Sequence, residues 1–249
     1  MQKIKRPSIF LFLTETIRAI WEYFKCRSFL KKFTAEEKGD GHTVLVIPGF
    51  MASDTSTKPL RQLLEKSGYR TAGWHLGTNF ADLTQLDIIG KQIDQLYQES
   101  GQPISLIGWS LGGVYARELA RERTDKIRQI ITLGSPFAGI NEPNNATITF
   151  NIIKRLRNYP ELDENFIAQL PEPVPVPTTA IYSKEDGIVP WQACMEQKED
   201  DLHQNVEVKG SHLGLGVNID VLKIILERLP YRKRNWVKRG EQRLFIGSI

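Results

Sequence analysis

The chain has 249 residues, 41% apolar and 25% charged, with 19 Gly and two Cys. That is room for one α/β domain, and the composition excludes disordered and fibrous classes. The net charge of +4 is uneven: residues 1–38 hold nine Lys/Arg against four Glu, residues 230–249 hold six against one, and the body between carries −6. An acidic body argues against a nucleic-acid face, and basic ends suit an anionic membrane. Two Cys make no disulfide framework, so a reducing, cytoplasmic setting is expected, with the termini peripheral at the inner face of the membrane.

Residues 1–38 read as an amphipathic helical segment. A helix over 8–25 starts at Pro7-Ser8, with Phe10, Leu13, Ile17, Ile20, Trp21 and Phe24 on one side and Glu15, Arg18, Glu22 and Lys25 on the other. A signal peptide is not expected, because the apolar stretch breaks at Thr14-Glu15-Thr16 with no small-residue cleavage site after it. From residue 39 strands and helices alternate, the pattern of a parallel sheet with crossover helices. Residues 43–47 (TVLVI) form a strand covered on both faces. A helix over 59–67, a strand over 70–75 and a helix over 82–99 follow. Next come a strand at 104–107, a helix at 111–121 and strands at 129–133, 179–182 and 206–208, with a closing helix at 221–229. Residues 139–177 interrupt this rhythm. An insertion of that length between two strands is usually a lid or binding loop, or else disordered, and a lid is expected here. Residues 230–249 form a basic tail with aromatic residues interleaved, the makeup of an interfacial anchor; the bland alternative is a solubilising end, with the first helix packed on the domain.

The chemistry centres on Gly108-Trp109-Ser110-Leu111-Gly112. Chance supplies Gly-x-Ser-x-Gly in about one chain in ten of this length, so the motif alone decides little. Here it follows a buried strand and opens a helix, the setting of a nucleophile elbow. A strand that turns sharply into a helix exposes the Ser110 hydroxyl and demands small residues two positions to either side. The helix N-terminus brings free N–H groups to a developing oxyanion.

A serine hydroxyl needs a base. Of the four His, His42 and His203 read as surface residues, and His75 lies near a strand end where it could line a pocket. His212 follows the last strand, at the sheet edge where open parallel sheets bind ligands. Asp186, in the turn Asp186-Gly187 after the preceding strand, is placed to orient His212, with Glu185 as its neighbouring rival. The N–H of Leu111 and one from Pro48-Gly49-Phe50-Met51 are the oxyanion donors; loop position selects Phe50, with Met51 as the alternative. Met51, Trp109 and Phe137 are candidate substrate-binding residues that could equally pack a core. No zinc spacing or phosphate-loop motif occurs, so no metal or cofactor is expected.

These stretches resemble an α/β-hydrolase of the lipase and esterase type. The matching segments are Val44-Leu-Val-Ile-Pro-Gly-Phe50, Leu106-Ile-Gly-Trp-Ser-Leu-Gly-Gly113, Thr132-Leu-Gly-Ser-Pro-Phe137, Asp186-Gly-Ile-Val-Pro190 and His212. The Thr132 segment is similar to one shared by bacterial triacylglycerol lipases and relatives of the GPI inositol-deacylases. Many lipases carry His-Gly before the oxyanion residue, where this chain has Pro48-Gly49. The resemblance implies a hydrolase domain over residues 39–229 with a mostly parallel central sheet. It further implies ester hydrolysis through an acyl-serine intermediate, on lipid or medium-to-long acyl esters. Acyl transfer by the same residues, or a non-catalytic membrane-interaction role, are the alternatives.

Overall fold

A five-residue run such as TVLVI has apolar side chains on both sides of its strand, so it requires a cover on each face. In the computed structural model, which describes residues 4–35, 38–157, 159, 163–231 and 236, that run is strand β1 (Thr43–Ile47), buried throughout. It lies between β2 (Arg70–Gly73) and β3 (Ile104–Trp109). Beyond β3 follow β4 (Ile127–Leu133), β5 (Thr178–Ser183) and β6 (His203–Val208), giving the order β2-β1-β3-β4-β5-β6. Every pairing is parallel.

The alternation of β1 shows how the two layers form. Val44 and Val46 pack on one face with Leu60, Leu63 and Leu64 of α2 (Asp54–Lys66) and with Val221 and Leu222 of α7 (Ile219–Arg228). Leu45 and Ile47 pack on the other with Ile89 and Ile93 of α3 (Gln85–Ser100) and with Tyr115 and Leu119 of α4 (Leu111–Glu122). Chain direction across the sheet reverses between β1 and β3, so the loops leaving these two strands open a crevice at the C-terminal edge.

Several elements are longer than their apolar patterns suggest, each for a local reason. Helix α2 starts five residues before Pro59 because Ser53 and Ser56 form a reciprocal capping box. Strand β6 begins at His203 and pairs with all of β5, although its first three residues are polar. Two expected surface histidines are buried, because both ring nitrogens of each are partnered. His42 meets Asp40 and the Ser105 hydroxyl, the latter at 2.8 Å; His203 meets Asp200 at 2.7 Å and the Val174 carbonyl at 2.8 Å.

The insertion between β4 and β5 holds α5 (Thr147–Leu156) and α6 (Glu164–Gln169). Its Pro-rich end is tied to α4: Arg121 donates to the carbonyls of Gln169, Glu172 and Pro173, and Arg117 donates to that of Glu172. Val174 and Val176 are buried in the core.

Helix α1 (Ile9–Lys32) runs seven residues past the expected end, where Phe29 and Leu30 pack against the core. It lies so close to the turn after β5 that a Cβ on Gly187 would stand 2.5 Å from the backbone of Leu11. The basic tail lies outside the described residues except for Pro230, Tyr231 and Trp236, whose ring stacks over the Arg228 guanidinium at 3.9 Å.

Candidate active site

Ser110 stands between the last residue of β3 and the first of α4, with φ of 52° and ψ of −121°. A non-glycine residue at positive φ stores strain that packing must hold in place. The hold comes from a backbone bond of 2.8 Å from Ser110 N–H to the Leu133 carbonyl and from the tight fit of the flanking glycines. A Cβ on Gly112 would strike the carbonyl group of Ile47, and one on Gly108 would strike the backbone of Gly113.

The Ser110 hydroxyl lies 3.0 Å from His212 Nε2. Nδ1 of the same ring lies 2.5 Å from Asp186 Oδ2. With Nδ1–H donating to the carboxylate, Nε2 is left to accept from the hydroxyl. The other Asp186 oxygen accepts the N–H groups of Ile188 at 2.8 Å and Val189 at 2.9 Å, so the carboxylate cannot rotate freely. Three residues far apart in the sequence thus form one hydrogen-bonded line. Glu185 is placed otherwise: its carbonyl accepts from Arg18 of α1.

His212 and Asp186 are almost fully buried. Burial opposes a charged imidazole, but the charge of Asp186, its hydrogen bond and the charge of Glu15 outweigh it and raise the His212 pKa above its ordinary value. An imidazole held this way binds a proton more readily than a free one.

The loop after β1 runs against Ser110: a Cβ on Gly49 would stand 2.9 Å from Ser110 Cβ. The Met51 N–H is bound to the Asn79 carbonyl at 2.7 Å, and the Asn79 side chain donates to the Pro48 carbonyl at 2.9 Å. Among the described residues, the N–H groups of Phe50 and Leu111 meet no acceptor. Both therefore remain able to bind an oxyanion.

The three candidate substrate-binding residues have different fates. The Met51 side chain is largely exposed beside this loop. Trp109 is half-buried, and its indole N–H donates to the His212 carbonyl at 3.1 Å, which makes it a brace for the His212 loop. Phe137 is fully buried with Val114, Leu170 and Ala180, under the Arg117 guanidinium, so it is a core residue without a face to offer a ligand. His75 lies on the surface beside Asp54. Phe150 of α5 meets Phe50 edge-on at 5.6 Å, which brings the insertion up to the site.

Sequence reasoning missed Glu15. The residue is 2% exposed. It accepts from Gly187 N–H at 2.8 Å, His212 N–H at 3.2 Å and Leu213 N–H at 3.1 Å, and pairs with Arg18 at 2.8 Å. A buried carboxylate is tolerable only with such partners. One turn pair further along α1, Glu22 accepts from the Ser211 hydroxyl at 2.5 Å and the Ser211 N–H at 3.1 Å. A local signal existed in two acids seven residues apart on a helix, but the donors they meet come from loops far along the chain.

The comparisons with known proteins agree with this architecture. The chain superposes on the crystal structure of Aspergillus fumigatus lipase B with a TM-score of 0.62 at 14% identity, over 85% of this chain and 57% of that one. It therefore spans little more than half the length of that lipase. It superposes on the Paleococcus ferrophilus monoacylglycerol lipase at 0.54 and 17% identity, over 78% of this chain and 96% of that one. For the thioesterase domain from the curacin biosynthetic pathway the values are 0.51 and 20%, over 78% and 93%. Likeness at these identities establishes the α/β-hydrolase fold. No curated protein matches the chain. The sequence profile of the palmitoyl protein thioesterases matches residues 43–171, over half of the chain and including Ser110, and the protein belongs to that family of α/β-hydrolases.

Proposed function

We propose that this protein is a serine hydrolase that cleaves carboxylic esters or thioesters of medium-to-long acyl chains. The observation that carries the reading is the line from Ser110 Oγ through His212 to Asp186, with two unoccupied N–H groups beside it. Ser110 Oγ attacks the acyl carbonyl while its proton passes to His212 Nε2. The N–H groups of Phe50 and Leu111 hold the oxyanion of the tetrahedral intermediate. Collapse breaks the bond to the alcohol or thiol, which leaves with the proton from His212. Water then attacks the acyl-serine, giving its proton to His212, and the second collapse releases the acid and restores Ser110. Asp186 keeps the imidazole oriented throughout.

Family membership supports an acyl substrate with either oxygen or sulfur as the leaving atom. The insertion acts as a lid, with Phe150 on α5 against Phe50 at the oxyanion loop. The enzyme works at a lipid surface on the cytoplasmic side, approached through its basic, aromatic-bearing ends. The test is hydrolysis of matched oxygen esters and thioesters from acetyl to palmitoyl, with Ser110→Ala alongside. Turnover favouring the longer chains and absent from the variant is expected. Equal turnover by the variant would overturn the serine mechanism, and an optimum at acetyl would overturn the acyl-chain assignment.

A further inference from the structure

Over residues 9–25 helix α1 turns its polar side to the protein, while Cys26, Phe29 and Leu30 further along pack against the core. Glu15 and Glu22 point inward and are engaged by backbone N–H groups and Ser211. The apolar side faces out: Phe10, Leu13, Ile17, Ile20, Trp21 and Phe24 are each 52–72% exposed. A contiguous apolar stripe on a monomer normally marks an interaction surface, and this one runs for about 21 Å along the helix.

We infer that the outward face of α1 docks on an anionic lipid bilayer, lying in the headgroup plane. The charge pattern names the partner. The acids of α1 are turned inward, so the exposed charges of the helix are Lys25, Arg27, Lys31 and Lys32, all basic. Such a helix, with aromatic and aliphatic groups below and cations beside them, binds an interface through apolar burial plus attraction to anionic lipid. No helix among the described residues is long and apolar enough to cross a membrane, so the helix lies along the surface. A spanning pose would also have to strip Glu15 of its amide partners.

The placement joins this face to the chemistry. Among the described residues, the exposed large apolar side chains other than Ile88 belong to α1 or to elements beside the site: Met51, Ile152, Leu156 and Leu213. Leu213 adjoins His212 and donates its N–H to Glu15 of the helix itself. The bilayer thus supplies the acyl substrate to the edge of the sheet that holds Ser110, which rests on the hydrolase reading above. The docking itself does not depend on that reading.

The experiment is flotation of the full chain with vesicles of phosphatidylcholine alone and of phosphatidylcholine with phosphatidylglycerol. Wild type is expected to float with the anionic vesicles, less with neutral ones, and less as salt rises. Ile17→Asp and Phe24→Asp, on the outward face, should each weaken binding by about tenfold or more. Both should keep the wild-type thermal unfolding profile and rate with a short soluble ester. Ser110→Ala should float like wild type, so an enzyme inert in every ester assay still gives a readable result here. Wild type that stays with the soluble fraction, or aspartate variants that float equally well, would overturn the inference. Self-association that the same variants abolish, without vesicle binding, would overturn it in favour of a second copy of the chain.

Discussion

The carboxylate of Glu15 accepts the backbone N–H of His212 at 3.2 Å across 197 positions of sequence. The same oxygen accepts Gly187 N–H at 2.8 Å, next to Asp186. One side chain from outside the sheet therefore ties together the two loops that carry His212 and Asp186. Glu15 binds backbone N–H groups and not the Ser110–His212–Asp186 side chains, so in the proposed mechanism its role is positioning.

Replacing Glu15 with Gln removes the charge and sets an amide N–H₂ against a backbone donor. Displacements well under 1 Å matter at such a site, so kcat is expected to fall by about 10- to 100-fold with KM little changed. Glu15 also helps to raise the His212 pKa, together with the larger influence of Asp186, against the opposing effect of burial. The groups facing this imidazole are Ser110, Asp186 and Glu15, with Arg18 on the far side of Glu15 and Glu22 on the neighbouring Ser211. The proposed mechanism needs neutral His212, so loss of the Glu15 charge should move the acidic limb of kcat/KM to lower pH. Full kinetic profiles of both proteins check this. An unmoved limb with unchanged kcat would show that the carboxylate only packs.

Of the adjacent carboxylates Asp186 and Glu185, Asp186 is the one that reaches His212, and substitution should part them. Asp186→Asn is expected to lower kcat by about 10⁴-fold by favouring the wrong imidazole tautomer, whereas Glu185→Gln should leave it near wild type. The wild-type acidic limb should lie above the ordinary imidazole value of 6.5. The same shift has a consequence for stability. A His whose folded pKa is raised stabilises the fold fully below 6.5, and that contribution is lost as pH rises through the folded value. Urea unfolding of wild type and His212→Ala across that window measures it.

Arg117 and Glu196 form an ion pair with both side chains buried, and Arg117 also donates to the Glu172 carbonyl at 2.8 Å at the end of the insertion. Removing one partner leaves an uncompensated charge in the core. Arg117→Met is therefore expected to cost about 3–5 kcal/mol in chemical unfolding. The double change with Glu196→Met should regain most of that, since no buried charge remains. A double variant as unstable as the single would point instead to the lost tether on the insertion.

Strands β1 and β3 were legible because continuous apolar runs admit few alternatives, and the Gly spacing around Ser110 reports a turn that excludes side chains. The last strand also placed His212 at the sheet edge, where the structure sets its Nε2 3.0 Å from Ser110 Oγ. The orientation of α1 was not legible. Periodicity shows that a helix has two faces, but which one packs inward depends on what the neighbouring surface offers. Here that surface is a row of backbone N–H groups from the loops at 187 and 211–213, which donate to carboxylates and would find no acceptor of equal strength on phenyl rings. His42 and His203 misled for a related reason, as their long-range partners are Ser105 and Val174. Phe137, drawn toward the site by its position in the chain, belongs to the core because Arg117 closes over its ring.

The stretch that carries recognisable descent begins at residue 43, after α1 has already ended at Lys32. A chimera or shortened chain drawn along that border would keep the nucleophile elbow and inherit amide hydrogens at 187, 212 and 213 with nothing to receive them. The stretch matched by the family profile and the unit that satisfies these amides are thus of different extent, the second beginning upstream of the first.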